Sequence, residues 1–274
     1  MSCHCESKYK LPVCEDDGKI HYRIALAGNP NVGKSVIFNN LSGLSQVIGN
    51  WPGKTVSKAE GRALWGDYVF DMVDLPGIYS LSTYSLEEIV SREYIIKDHP
   101  DYVINVIDSN HLERNLYFTL QLLMLDRPMI VSLNQFDLLK TRGYDIDIEK
   151  LSSLLGVLAV PTIAVHNRGV HELLEEIIRR HKSQEVVVPK QLEFGKEVEQ
   201  GIQDLIHAYQ AEGLSQYPAR FACIKILEND VEIIKDLGLS ESGKGAKIMA
   251  IAREKREKLE GIHGEKITTV INAE

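Results

Sequence analysis

Residues 28–35 read Gly28, Asn29, Pro30, Asn31, Val32, Gly33, Lys34 and Ser35, a complete GxxxxGK[ST] run. Glycines at its two ends let the backbone turn its N–H groups toward a polyanion, the lysine brings a positive charge, and the adjacent hydroxyl suits a magnesium ion. This pattern binds the phosphates of a nucleoside triphosphate. Lys34 reaches the β- and γ-phosphate oxygens and Ser35 is a ligand for the magnesium that bridges them. The flanks agree: residues 20–27 are an apolar, strand-like run and residues 32–41 carry helical spacing, the strand-to-helix context this motif requires.

Two further motifs follow in the order a guanine nucleotide site needs. Asp74, Leu75, Pro76 and Gly77 form a DxxG run directly after the strand-like residues 68–73. That places a carboxylate near the magnesium and a glycine N–H near the γ-phosphate, where a segment can move with that phosphate. Asn134, Gln135, Phe136 and Asp137 form NxxD after the buried-strand run 128–133. The Asp137 carboxylate accepts from both the ring N–H and the exocyclic amine of guanine, and adenine offers neither donor there. Thr55 lies between the phosphate loop and DxxG, where small GTPases carry the switch threonine that closes over magnesium. It also reads as an ordinary surface strand residue. The base loop after the last strand is Ala164, Val165, His166 and Asn167, a poor match to the usual Ser-Ala-Lys, so weaker nucleotide retention and fast GDP release are expected.

Ile78 follows the DxxG glycine, where Ras-type enzymes place a glutamine that orients the attacking water. An isoleucine cannot, so hydrolysis must draw on backbone groups, another cation or a partner protein. A second outcome is a nucleotide sensor with little turnover, in which GTP only shifts a conformational population.

The run Ile48, Gly49, Asn50, Trp51, Pro52, Gly53, Lys54, Thr55 and Val56, with 74–81 and Leu112, Glu113, Arg114, Asn115 and Leu116, resembles the cytoplasmic GTPase region of the ferrous iron transporter FeoB family. The resemblance is close over residues 20–180 and looser beyond. It implies a slow, potassium-activated GTPase using GTP/GDP, Mg2+ and K+. Asn31, Lys34, Thr55 and Gly77 would be catalytic. The nucleotide would contact residues 28–35, Gly53, Lys54 and Thr55, residues 74–77 and 134–137, and Ala164 and Val165. Magnesium would fall to Ser35, Thr55 and Asp74. Potassium would fall to Asn31 and the backbone at Gly49 and Trp51, countering transition-state charge as an arginine finger does elsewhere. Lys54 departs from the family's apolar residue. It points either to solvent, the commoner fate of a lysine, or inward in competition with potassium.

The fold class expected is α/β, a mostly parallel sheet P-loop GTPase domain with a C-terminal all-helical domain. Strand-like runs at 63–73, 102–107, 129–133 and 158–164 alternate with helical patterns at 85–97, 113–125, 147–155 and 170–181. After a linker at 183–189, residues 193–209, 219–227, 230–237 and 245–259 read as helices. The charge-rich stretch 253–258 reads as a solvated face. The expected division is a tail over 1–19, the GTPase domain over 20–182, a helical domain over 190–262, and residues 263–274 leading toward a membrane region.

No run reaches the roughly 18 to 20 apolar residues of a membrane helix, so these 274 residues read as a soluble piece. The resemblance implies a partner in the membrane permease region of the same polypeptide, at the cytoplasmic face of a bacterial inner membrane, with small accessory proteins of iron uptake and a homo-oligomer as further partners. A net charge of −8 argues against nucleic acid, which asks for a basic stripe. That charge also weighs against the alternative, a ribosome-assembly or tRNA-modification GTPase. Cys3, His4, Cys5 and Cys14 read either as a reduced tail or as a zinc or ferrous iron site without CxxC spacing. Cys223 reads as core.

Overall fold

The computed structural model describes residues 12, 17–43, 46–81, 85–185, 189–240, 242–243 and 245–273. Cys3, His4, Cys5, Cys14, most of the expected tail and residues 186–188 of the expected linker lie outside them. The chain divides into two compact units, Met1–Lys190 and Gln191–Glu274.

The first unit is built on a seven-stranded sheet: β1 (Ile20–Gly28), β2 (Gln46–Asn50), β3 (Ser57–Trp65), β4 (Tyr68–Asp74), β5 (Tyr102–Asp108), β6 (Met129–Asn134) and β7 (Leu158–Pro161). The spatial order is β2-β3-β4-β1-β5-β6-β7. The five strands from β4 to β7 run parallel, and β3 and β2 add an antiparallel edge. The parallel strands are buried on both faces, which is why they read as near-continuous apolar runs. Helices connect them: α1 (Lys34–Ser42), α2 (Leu86–Glu93), α3 (Leu112–Leu123), α4 (Phe136–Thr141), α5 (Ile148–Leu155) and α6 (Val170–Ser183). Tyr22, Ile24 and Leu26 of β1, Ile37 and Phe38 of α1, and Leu173 and Ile177 of α6 share one core. All five parallel strands end on one edge, so the loops after β1, β4, β5 and β6 meet there.

Several sequence expectations need correction. The run 63–73 is a hairpin of two strands, with Trp65 opposite Tyr68 and Gly66 at φ 59° in the two-residue turn. The single apolar run hid that turn. The helix expected over 85–97 is α-helical only through Glu93 and then widens into a π-helical turn, Tyr94–Asp98. The strand expected over 158–164 stops at Pro161, and Ala164–His166 is a short 3-10 turn. Strand β2 and helix α4 had no clear periodic signal.

The second unit holds α7 (Lys196–Ala211), α8 (Ala219–Leu227), α9 (Val231–Asp236), α10 (Ala246–His263) and α11 (Ile267–Ala273). Helix α8 is its centre: residues 220–227 are all buried, Cys223 among them. A helix apolar on every side packs this way. Arg220 satisfies its charge on Glu199 of α7 at 2.6 Å and on the Leu192 carbonyl. Arg256 is not part of a purely solvated face, since its guanidinium caps α8 by donating to the carbonyls of Leu227 at 2.8 Å and Ile226 at 3.0 Å. Residues 263–274, expected as a linker, contain α11, which buries Ile267, Val270 and Ile271. Their i, i+3, i+4 spacing is the helical signal.

The bidentate Arg220 bond holds the Glu199 carboxyl at about 2, against the opposing effect of burial. A carboxyl depressed on folding adds stability above its unfolded pKa, and that stability drains away as pH falls toward the folded value. Glu199→Gln is expected to cost the second unit about 2 kcal/mol at neutral pH, allowing for partial solvent screening. The deficit narrows below about pH 4.5, as read by hydrogen exchange of α7 and α8 amides.

Candidate nucleotide site

The loop between β1 and α1 is shaped by close approach. A Cβ at Gly28 would sit 2.4 Å from the Val106 carbonyl oxygen on β5. Gly33, at φ 88°, would put its Cβ 2.3 Å from Asn134 Nδ2. Only glycine fits both places. Asn31 also adopts positive φ, 64°, which asparagine tolerates. Intrahelical bonding starts with Val36 and Ile37, which donate to the Gly33 carbonyl. The N–H groups of Gly33, Lys34 and Ser35 at the helix N-terminus are left to an anion.

Lys34 is buried at 8 % exposure, and its ammonium pairs with Asp74 at the end of β4. The Ser35 hydroxyl donates to the other Asp74 oxygen at 3.0 Å. Two motifs 40 residues apart in sequence thus supply one cation, one hydroxyl and one carboxylate at a single point. Leu75 continues the ladder by donating to the Leu26 carbonyl at 3.0 Å, and Ile78 donates to the Gly28 carbonyl at 3.2 Å. Gly77 lies against Pro30, where a Cβ would come within 3.1 Å of the proline Cα. Ile78, 4 % exposed, is packing rather than a water-orienting group. Asn29 is buried, and neither end of its amide has a partner among the described residues.

Asn134, expected at the base, sits where the phosphate loop and the base loop meet. It is 3 % exposed and spent on the scaffold: Nδ2 donates to the Val32 carbonyl at 2.8 Å, and Oδ1 accepts from Ala164 N–H at 3.0 Å and from Thr162 Oγ1 at 3.4 Å. It ties the phosphate loop to the base loop. Asp137, the other residue expected at the base, is half-buried in the first turn of α4, and no protein group engages it among the described residues. Gln135 takes positive φ, 57°, and Phe136 donates to the Thr162 carbonyl. Ala164 is fully committed, its carbonyl accepting Asn40 Nδ2 at 2.7 Å, while Val165 is 75 % exposed.

Sequence reading missed several supports. Asp108, at the end of β5, holds Asn110, whose Nδ2 donates to the Gln135 carbonyl at 3.3 Å. Burial opposes its charge, but bonds from His111 and Asn110 keep the Asp108 carboxyl below the usual range. The polar run 108–111 signalled a turn, not its target. Asn40 gave no signal at all, being one polar residue on a helix.

The expected residues of the first switch do not join this cluster. Residues 51–56 are the loop of the β2–β3 hairpin, closed by Trp51 N–H to the Val56 carbonyl at 2.9 Å and Lys54 N–H to the Trp51 carbonyl at 3.0 Å. Gly49 pairs with Lys58 within the hairpin. Gly53 and Thr55 are exposed, and Trp51 is buried against Tyr94. Lys54 points neither to solvent nor to the phosphate loop: its ammonium lies 2.6 Å from Glu93 of α2.

A strand, a GxxxxGK[ST] loop, a helix N-terminus, a DxxG carboxylate and an NxxD brace on a mostly parallel sheet define a P-loop GTPase domain, here with a helical unit after it. Residues 22–177 match the family described as ferrous iron transport protein B, and residues 194–274 match its cytosolic helical domain. The chain belongs to the ferrous iron transport protein B family. It is 39 % identical to an Fe(2+) transport protein A/Fe(2+) transporter FeoB fusion protein of Porphyromonas gingivalis over 232 residues, 83 % of this chain and 27 % of that protein. It is 43 % identical to an Fe(2+) transporter FeoB of Methanocaldococcus jannaschii over 221 residues, 78 % of this chain and 32 % of that one. The chain thus spans about a third or less of these relatives. Among solved structures, a GDP-bound mutant of NFeoB from S. thermophilus superimposes with a TM-score of 0.81 at 35 % identity, covering 91 % of this chain and 93 % of that one.

The role of Asn134 as a brace is checked without nucleotide. Asn134→Ala strands the Val32 carbonyl and the Ala164 N–H, and is expected to cost about 2–3 kcal/mol in chemical denaturation. A surface residue that merely touched a base would cost almost nothing.

Proposed function

We propose that this chain binds GTP with magnesium, hydrolyses it slowly with help from potassium, and so drives or gates ferrous iron uptake through a membrane permease region. The observation that carries the reading is the meeting of Lys34, Ser35 and Asp74 at the mouth of a loop whose first helix N–H groups have no partner among the described residues. A buried ammonium with one carboxylate partner suits exchange onto phosphate oxygens. A hydroxyl beside a carboxylate suits magnesium, whose ligands are hard oxygens. The relatives are named as Fe(2+) transporters, and the solved neighbour holds GDP, which supports the same reading here.

Guanine reading is assigned to Asn134 and Asp137, and the Asp137 carboxylate is unengaged among the described residues at the edge where the nucleotide loops meet. The ion-dependent part rests on residue chemistry. Asn31 is exposed at the loop crest and offers an amide oxygen, and the 49–51 backbone offers carbonyls. The Trp51 carbonyl already accepts from Lys54 N–H, so a potassium site there, and a magnesium contact from Thr55, both require the hairpin loop to move. Bound magnesium and potassium would counter the charge that develops on the phosphates. Among the described residues no helix is long and apolar enough to cross a membrane. Accessory proteins of iron uptake and a homo-oligomer fit the same proposal.

Steady-state hydrolysis compared in matched potassium and sodium buffers tests the ion dependence. Activation by potassium that disappears in Asn31→Ala is expected, and equal rates in both salts contradict it. Base assignment is tested separately. Asp137→Asn is expected to shift preference from guanosine to xanthosine nucleotides, and an unchanged affinity for GTP removes Asp137 from the role.

A further inference from the structure

The 51–56 loop is held away from the phosphate loop by identifiable contacts. Lys54 Nζ lies 2.6 Å from Glu93 Oε2, and Lys97 Nζ lies 2.7 Å from the other oxygen of the same carboxylate. Trp51 meets the ring of Tyr94 edge-on at 5.4 Å, and Lys58 Nζ sits 4.8 Å over the indole. Glu93 closes α2, and Tyr94 opens the π-helical turn. Such turns recur at functional sites. The loop is therefore anchored at Trp51 and at Lys54 on one short stretch of helix.

On its other side the loop is continuous with β2, which adds little to hold it. Strand β2 has no buried residue, with Val47 and Ile48 at 68 % and 78 % exposure, and a cavity of about 440 Å³ between Val47, Glu60, Met72 and Tyr94 underlies it. The Trp51 indole N–H is buried without a partner among the described residues, which costs free energy in this arrangement. A segment with few buried contacts and a few specific anchors opens locally at low cost. Thr55 follows Lys54 directly, their Cα atoms fixed about 3.8 Å apart, so a Lys54 anchored on Glu93 restricts the travel of Thr55 toward Ser35 and Asp74.

We infer that Glu93 is a positioning residue that holds the first switch in its open arrangement through Lys54, in direct competition with closure of Thr55 over bound GTP and magnesium. The inference rests on the GTPase reading above. Energetically, a contact made only in the open arrangement subtracts from the affinity of any ligand that requires closure and leaves other ligands untouched. GTP asks for closure because its γ-phosphate orders the switches, and GDP does not. Burial works against charge on Glu93, yet the bonds from Lys54 and Lys97 keep its carboxyl below the usual range, so the anchor is fully charged near neutral pH.

The test measures binding of a non-hydrolysable GTP analogue and of GDP, each with magnesium, to the whole chain and to Glu93→Gln. The expected result is an analogue affinity raised about three- to tenfold with GDP affinity changed less than twofold. Lys54→Gln is expected to give the same shift, the two together no further shift, and the exchanged pair K54E/E93K to restore the original ratio. Lys97→Gln, which leaves the Lys54 bond in place, is expected not to raise it. An unchanged or lowered analogue-to-GDP ratio in Glu93→Gln and Lys54→Gln, with GDP still bound, overturns the inference alone. Failure of the unmodified chain to bind either nucleotide overturns the GTPase reading and the inference with it.

Discussion

The pairing of Lys34 with Asp74 is the constraint on which the rest of the nucleotide site depends. A phosphate site needs a concentrated positive charge, and a magnesium site needs a carboxylate close by. Before ligands arrive, neither charge tolerates burial alone. Placing them so that each neutralises the other solves both needs, but it demands that the ends of β1 and β4 stay in register. That register is enforced by neighbours: the parallel ladder from Ile20–Tyr68 to Leu26–Asp74 and the continuing bonds from Leu75 and Ile78 back to β1.

Around this pair the site separates into a rigid part and a movable part. The rigid part is braced by Asn134, which spans three loops from a buried position, and by Asn40 and Asn110, which fasten the base loop and the 135 turn from behind. The movable part is the edge strand β2, which has no buried residue, with the loop that joins it to the core-packed β3. Its loop rests on α2 through Trp51 and Lys54. The division is physically sensible, because a site that must bind two nucleotides with similar affinity in its base and phosphates needs a fixed floor. A site that must tell them apart needs a wall that moves.

Much of this was legible in the sequence, and most of the exceptions share one cause. The phosphate loop, DxxG and NxxD could be read because their chemistry is local: glycines, a lysine and a carboxylate act from fixed spacings on single loops. The parallel strands could be read because burial on both faces leaves unbroken apolar runs. What could not be read depends on distant partners. The bracing role of Asn134 shows only once Val32 and Ala164 are seen to bond its amide. Lys54 is a solvent lysine until Glu93 appears 39 residues later. Arg256, one of six consecutive charged residues of mixed sign, shows its role only against the end of α8. The Gly66 turn between β3 and β4 was present in the sequence but overridden by the apolar run around it.

The most direct measurement is a crystal structure of the chain with magnesium and a non-hydrolysable GTP analogue. The expected arrangement has Lys34 released from Asp74 onto phosphate oxygens, Ser35 on the metal, and the Asn134 bonds to Val32 and Ala164 unchanged. A nucleotide bound elsewhere with the Lys34–Asp74 pair intact, or bound in the loop only after the Asn134 bonds have broken, would contradict a prebuilt phosphate site.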